Sequence, residues 1–359
     1  MQKGVLILKK RVKIASIFLI FLICLITIFS CYNCVLKGVS SGLYLCGAVI
    51  IPSLFPILCL TSFLSFCGVL EVFAKRLKNF SKKHFHLCGY FIPIFLLSMI
   101  SGYPVGATLA NSIYESGKIS VNERNKIALI CCSAGPAFVL LAVGVNIFNS
   151  IKIGKILFFS NLFACIVTAL IVTRFFENDN EKTKYNSRLN ALSDSTVFAV
   201  SNATSSVISI CAFTIIFSAI VNVLTLVCAN KTAFLAIVGF LEVTNGVFEF
   251  FCAKVALPFV CAVIGFGGLS VIFQISALLK TNRPPILKII ATRFLCACFS
   301  FIFCFLACKI FNVSTTVSNT LNVSLKTTSQ NYYFSLLLWF LAIVFLSFLQ
   351  KHSAKSKLM

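Results

Sequence analysis

The chain has 359 residues, of which 59% are hydrophobic and 11% are charged, and its mean hydropathy is +1.00. This composition excludes a water-soluble core, because several apolar stretches are long enough to cross a bilayer. Lysine and arginine outnumber acidic residues by 31 to 9, but they lie beside apolar stretches, where they orient helices and contact anionic lipids. We therefore expect an all-α, polytopic membrane helical bundle that binds anionic lipids at its basic loops and no nucleic acid.

Residues 1–38 are predicted to form a first membrane segment. A basic stretch precedes an apolar stretch from Ile14 to Ser30, which resembles a signal peptide but has no convincing small-x-small cleavage site. We interpret the apolar stretch as a retained transmembrane helix with a cytoplasmic N-terminus. Farther along, the basic sequence "EVFAKRLKNFSKKHFH" predicts a cytoplasmic loop over residues 71–86.

The rest of the chain divides into two halves of similar organisation. The most polar segment, residues 177–196, is predicted to be a cytoplasmic linker between a first repeat half, 39–176, and a second repeat half, 197–310. Residues 311–333 are polar and nearly uncharged, which favours an external loop. Residues 334–359 are predicted to form the last transmembrane helix and a basic cytoplasmic tail.

Each half contains a glycine-rich interruption of an apolar segment. "SGYPVGATLAN" begins at Ser101 and aligns with "IGFGGLSVIFQ", which begins at Ile264. Interrupted hydrophobic segments at corresponding positions of two halves are typical of transporter binding sites near the middle of the membrane. Backbone groups freed from a helix survive in lipid only when they are buried in protein or line a wet cavity. A packing kink is the alternative interpretation.

The first interruption is predicted to expose the start of a helix near Pro104. Because Gly102 and Gly106 allow close backbone approach, the amides and dipole at this helix N-terminus favour a polar or anionic group. The halves are thus expected to form a two-fold pseudo-repeat with broken or re-entrant helices. If both interrupted segments enter and leave on the cytoplasmic side, eight crossings place every strongly basic segment inside; ten crossings are the alternative.

The sequence "GFLEVTNGVFEFF" holds the only acids deep in apolar sequence, Glu242 and Glu249. A buried ionisable side chain predicts a functional site, since its insertion costs about 2.5–3.5 kcal/mol when it is charged. Glu242, with Thr244 and Asn245 beside it, is predicted to take up a proton or help hold a cation. A structural hydrogen bond between helices is the alternative for Glu242.

A further irregular element is predicted where "CCSAGPAFVLLAVG" places Gly135 and Pro136 inside an apolar stretch, with a simple proline kink as the alternative. The sequence contains no Ser/His/Asp arrangement, His-based metal spacing or Walker-type loop, so we predict no enzyme, catalytic residue, metal site or cofactor. The candidate substrate-binding residues are Ser101, Gly102, Tyr103, Pro104, Gly106, Asn111, Glu242, Thr244, Asn245, Gly246, Gly267, Gly268 and Gln274.

Five motifs occur in order between about residues 40 and 310: "SGYPVGA", "IYESGKIS", "GPAFVLLAVG", "LEVTNG" and "GFGGLSVIFQ". Together they resemble the YlbJ-type sporulation integral membrane proteins, which carry a nucleoside-recognition or Gate domain. The resemblance implies a multi-pass cell-membrane protein of endospore-forming bacteria, linked to spore cortex formation, with other sporulation membrane proteins as candidate partners. This chain departs from the family at Tyr103, Val105 and Ile272, where Phe, Ser and His are expected, which leaves Glu242 as the main titratable candidate.

These features predict a permease-like protein that moves a small polar or anionic solute through a midplane site by rocking of its halves. The alternative is a non-transporting scaffold for spore envelope assembly, whose contact surfaces would be the loops 71–86 and 177–195.

Overall fold

The computed structural model describes residues 18, 22, 25–175, 183–185, 192–279 and 281–313, which belong to one compact unit within Met1–Val317. Most of the predicted first membrane segment and linker, and the predicted last helix with its tail, lie outside the described residues. The regular elements of the described part are all helical. The helices are α1 (Tyr32–Leu45), α2 (Ile51–Phe66), α3 (Val69–Phe85), α4 (Phe91–Ser101), α5 (Val105–Glu115), α6 (Val121–Ile130), α7 (Ile151–Val172), α8 (Leu192–Val227), α9 (Lys231–Leu241), α10 (Val243–Cys252), α11 (Leu257–Phe266), α12 (Gly268–Leu278) and α13 (Ile286–Ile310), with π-helices at Cys46–Ile50 and Ala137–Ile147.

Several helices are long and apolar enough to cross a membrane, which confirms the predicted all-α polytopic fold. A fifth candidate crossing is the pair of α2 and α3, which are bent by 72° relative to each other. By length and composition, the four unbent candidates among the described residues are Ile151–Phe175, Leu192–Leu226, Leu257–Leu278 and Ile286–Ile310.

The long helix α8 runs antiparallel to α1 and α2. Gly38 of α1 lies against Ala219, whereas Phe66 of α2 stacks on Phe198 with ring centroids 4.0 Å apart. Residues later in α1 and α2 therefore contact residues earlier in α8, as expected for antiparallel helices. Gly38 permits the approach, because a Cβ atom there would lie 2.6 Å from the Cα of Ala219. Such small-residue contacts are the usual way in which membrane helices pack closely.

The order of elements is similar in the two halves. Each half begins with a long helical stretch, contains a pair of short helices separated by an interruption, and ends with a long helix. The first half has α6 and a π-helix between its interrupted pair and its last long helix, whereas α13 follows α12 directly in the second half. The first long stretches are antiparallel, as equivalent elements are in an inverted repeat. The pseudo-repeat itself stays an interpretation of this order.

The first interrupted segment, α4 and α5, is a hairpin whose two ends meet at Lys184. The hydroxyl of Tyr90 donates a hydrogen bond to the Lys184 carbonyl at 3.1 Å, and the Lys184 N–H donates to the carbonyl of Lys118 at 3.0 Å. Tyr90 immediately precedes α4 and Lys118 follows α5, so this segment enters and leaves on one side. The second interrupted segment differs, because α11 and α12 together are long enough for one crossing.

Two segments that were predicted to connect membrane helices contain helical residues. Residues 71–86 were expected to form a loop, but α3 is helical from Val69 to Phe85. Leu70, Ala74 and Phe85 lie on one buried face of α3, so packing against the bundle stabilises the helix. Residues 192–196, at the end of the predicted linker, belong to α8.

The contact of α1 with α8 predicts that an added methyl group at Gly38 destabilises the bundle. Gly38→Ala should lower the free energy of unfolding by about 1–3 kcal/mol, because its Cβ would overlap the backbone of Ala219. The matched control is Gly47→Ala, since no atom lies within 4 Å of a Cβ at that position. Unfolding of purified variants in detergent measures both, and equal stability of the two would contradict the close packing.

Candidate functional site

Three interruptions of the backbone meet inside the bundle, and we call this meeting point the junction. They are the hairpin tip, residues 102–104; the segment 131–136, which runs from the end of α6 to the start of the following π-helix; and the break at residues 265–268, where α11 ends at Phe266 and α12 begins at Gly268 on either side of Gly267. A Cβ atom on Gly102 would lie 2.8 Å from the Gly135 nitrogen, and a Cβ on Gly267 would lie 3.3 Å from the Tyr103 ring. The hairpin tip therefore touches both other interruptions.

Tyr103 joins the hairpin tip to the break at residues 265–268. Its hydroxyl donates a hydrogen bond to the carbonyl of Ile264, and its ring packs against Gly267. Gly267 has φ +82°, a conformation that side chains rarely adopt, so glycine is required there by both the backbone and the ring. Two of the predicted site residues are thus in direct contact across the halves.

The predicted irregular element around Gly135 is present in the structure. Residues 132–135 have no helical hydrogen-bonding pattern, and the Ser133 hydroxyl donates to the carbonyl of Ser98 in α4 at 3.1 Å. Gly106 of α5 packs so closely on Cys131 that any Cβ atom would overlap the Cys131 carbonyl. The glycines of the first motif therefore provide close backbone packing against this segment.

The fully buried Arg293 of α13 lies at the junction and contacts all three interruptions. Its guanidinium donates hydrogen bonds to the carbonyls of Cys132, Gly265 and Phe266, the last at 3.3 Å. The guanidinium carbon also lies 5.8 Å from the centroid of the Tyr103 ring. Because α11 ends at Phe266, and Cys132 follows the end of α6, the cation lies where two helix C-termini present unpaired carbonyls and partial negative charge.

Arg293 is not among the site residues that were predicted from the sequence. Its sequence context is informative, because "ATRFLCACFS" surrounds the arginine with small and apolar residues within α13. A charged residue inside a candidate membrane span is expected to face the bundle interior and to have a partner there.

A second buried arginine, Arg124 of α6, binds the end of α12. It donates to the carbonyls of Leu279 at 3.3 Å and Thr281 at 2.7 Å. It also lies 3.4 Å from the Asn111 side-chain oxygen, while the Asn111 amide donates to Glu115 at 3.1 Å. The predicted site residue Asn111 therefore belongs to a hydrogen-bonded cluster that connects the hairpin to the second half.

Glu242 is buried and caps the start of α10. Its two carboxylate oxygens accept hydrogen bonds from the backbone N–H groups of Thr244 at 3.0 Å and Asn245 at 2.7 Å. The Asn245 amide adds a third bond to the carboxylate at 2.9 Å. Gly268 packs on this cap, because a Cβ atom there would lie 3.0 Å from the Glu242 Cα. Glu242 is thus adjacent to the break at residues 265–268, and its described hydrogen bonds are local ones to the start of α10. The predicted uptake of a proton or cation by Glu242 stays a prediction.

The remaining predicted residues have local contacts. Gly246 packs on Gly239, where a Cβ would lie 2.8 Å from the Gly239 Cα, and Gln274 donates to the Ser270 hydroxyl at 3.2 Å. Pro104 precedes the first residue of α5, as predicted. The hydroxyl oxygen of Ser101 is buried without a hydrogen-bond partner in the described part of the chain. The same holds for two further hydroxyls in the interrupted helices, Thr108 and Ser276.

One curated relative is similar to part of this chain. The chain is 29% identical over 118 residues to the sporulation integral membrane protein YlbJ of Bacillus subtilis (strain 168), and the match covers 33% of this chain and 29% of that protein. This similarity confirms the resemblance to YlbJ-type proteins. No family model and no solved structure matches the chain, so the Gate domain stays a prediction.

Removal of the buried guanidinium should destabilise the junction. Arg293→Gln leaves freed carbonyls without their donor, and each unsatisfied buried group costs about 1–3 kcal/mol. The free energy of unfolding should therefore fall by at least about that amount, and hydrogen exchange should increase at residues 131–136 and 265–268. Lys288→Gln is the matched control on an exposed position of the same helix. If both variants behave like the parent chain, Arg293 does not stabilise the junction.

Loss of the Glu242 carboxylate should weaken the start of α10. Glu242→Ala removes the acceptors for the Thr244 and Asn245 amides, which should cost about 0.5–2 kcal/mol of stability. Glu242→Gln retains one acceptor oxygen and should cost less. Unfolding in detergent distinguishes the two variants, and an unchanged stability of Glu242→Ala would rule out the capping role.

Proposed function

We propose that this chain is a multi-pass membrane protein of sporulation that moves a small polar or anionic solute through the junction. The observation that carries the proposal is the meeting of the hairpin tip, the segment 131–136 and the break at 265–268 inside an apolar bundle. Irregular backbone at membrane depth is characteristic of the binding sites of transporters. The name of the similar Bacillus subtilis protein supports the assignment to sporulation.

The polarity of the helix ends favours a polar or anionic solute. The C-terminal carbonyls at the junction are bound by Arg293, whereas α5 and α12 begin at Val105 and Gly268, beside the same interruptions. The first N–H groups of a helix have no partner within the helix, and the helix dipole places partial positive charge there. The unpartnered hydroxyls of Ser101 and Thr108 add polar groups to this region.

Passage of a solute requires the packed interruptions to separate. The Tyr103 ring lies on Gly267 and the hairpin tip lies on Gly135, so rocking of one half against the other would open and close these contacts. In this proposal the conformation described here is the closed one. The chain lies in the cell membrane with both termini in the cytoplasm, performs no enzymatic reaction and acts in formation of the spore cortex.

A metabolite and ion uptake screen in vesicles tests the proposal. The intact chain should accumulate at least one small polar or anionic solute, and a double variant, Gly102→Leu with Gly267→Leu, should lose that uptake, because both side chains would occupy contact points of the junction. Gly47→Leu is the control, since that position is open. Tyr103→Phe, which keeps the ring but removes the bond to Ile264, provides a milder variant. Uptake of no solute by the intact chain would contradict transport.

Two further variants separate this proposal from its alternatives. Replacing the sequence of residues 177–182 and 186–191 with an unrelated polar sequence should leave transport and sporulation intact. If the chain is instead a scaffold that binds partners through the linker, sporulation should fail in this variant. Glu242→Gln tests a coupling role of the carboxylate: if transport and sporulation are unchanged, Glu242 takes no part in proton or cation coupling.

A further inference from the structure

Helix α3 has one face that packs on the protein. Leu70, Ala74 and Phe85 are buried on this face. The buried hydroxyl of Ser81 lies 3.0 Å and 2.8 Å from the carbonyls of Leu87 and Cys88, in the turn before α4. These contacts of the buried side chains therefore fix the rotation of α3 about its own axis.

The opposite face of α3 is exposed and combines aromatic with basic side chains. Phe73 is 53% exposed and Phe80 is 51% exposed. Arg76 and Lys83 are also exposed, and they alternate with the two phenylalanines at the three- and four-residue spacing of a single helix stripe. Lys75 and Lys82 are exposed on the flank of this stripe.

The charge of this face is entirely positive. The one acidic residue of α3, Glu71, is buried on the other side and forms an ion pair with Lys118. Lys78 is held over the ring of Tyr185 at 5.5 Å and is not counted in the stripe. Four cations therefore remain without a carboxylate on the same face, and together they attract an anionic partner.

We propose that α3 lies in the headgroup layer of the bilayer and binds anionic phospholipids. The helix follows α2 after a bend of 72°, which turns it away from the direction of that candidate span. Phe73 and Phe80 enter the boundary of the acyl chains, while Arg76, Lys83 and their neighbours contact lipid phosphates. A basic amphipathic helix with aromatic residues is a typical interfacial element, and each cation adds to its attraction to anionic lipid. This inference depends on membrane insertion alone and does not require transport.

The lipid contact of α3 has a structural consequence for the hairpin. On its inner face, α3 holds Lys118 through Glu71 and the turn at Leu87 through Ser81. These two attachments lie at the two ends of the α4–α5 hairpin. An anionic membrane surface that fixes α3 therefore also fixes the base of the hairpin whose tip lies at the junction.

Brominated lipids test the proposal on the intact chain in nanodiscs. The sequence contains one tryptophan, Trp339, so Trp339→Phe with Phe80→Trp places a single indole on the proposed lipid face. Its fluorescence should be quenched by lipids brominated near the headgroup. The quenching should be at least about twofold stronger when the brominated lipid is phosphatidylglycerol than when it is phosphatidylcholine, and this preference should vanish in high salt. Phe73→Trp in place of Phe80→Trp provides a second reporter.

Charge neutralisation supplies the matched comparison. Changing Lys75, Arg76, Lys82 and Lys83 to Gln in the reporter chain should abolish the preference for phosphatidylglycerol. Changing four exposed lysines of other elements, Lys152, Lys155, Lys231 and Lys254, should leave it intact. Absence of quenching by any lipid would show that the face lies in water or against another protein, and equal quenching by both lipids would show that the charges do not select anionic lipid. Either result would overturn the proposal.

Discussion

A helix that stops inside a bilayer leaves carbonyl groups that no water can satisfy, and the architecture of this chain depends on how those carbonyls are paired. The end of α11 and the segment after α6 both release carbonyls in the interior, and Arg293 binds them with one guanidinium. The same contact offsets the cost of burying the cation, because helix C-termini carry partial negative charge. Arg293 and the interruptions therefore stabilise each other, and neither is expected to persist alone.

The two halves are joined at two points by arginine. Arg293 of the second half reaches Cys132 of the first, and Arg124 of the first half reaches the end of α12 in the second. Between these points the hairpin tip packs on Gly135 and Gly267 with backbone contacts that tolerate no larger residue at Gly102. A movement of the halves that opens the junction must therefore break glycine packing at its centre while the arginine contacts rearrange or act as pivots. This constraint links the fold to the proposed transport.

Local features of the structure could be predicted from sequence, whereas contacts between distant segments could not. Apolar length predicted the helices, and glycine and proline predicted the interruptions. The role of Arg293 depends on the approach of α13 to two other segments, which no local pattern encodes. Glu242 is buried, as its position in apolar sequence indicated. Its capping of α10 could not be predicted, because it depends on the end of a helix at Leu241 that the continuous apolar sequence does not mark. The same limit applies to residues 71–86, where the basic composition indicated a connection between membrane helices but not the helix that forms when one face packs on the bundle.

An electron cryo-microscopy map of the chain in a lipid nanodisc tests the central claim most directly. We expect side-chain density for Arg293 inside the bundle, within hydrogen-bond distance of the carbonyls of Cys132, Gly265 and Phe266, with the Tyr103 ring on Gly267. A map in which α6 continues as an unbroken helix through residues 131–136, with Arg293 directed to the lipid headgroups, would contradict it.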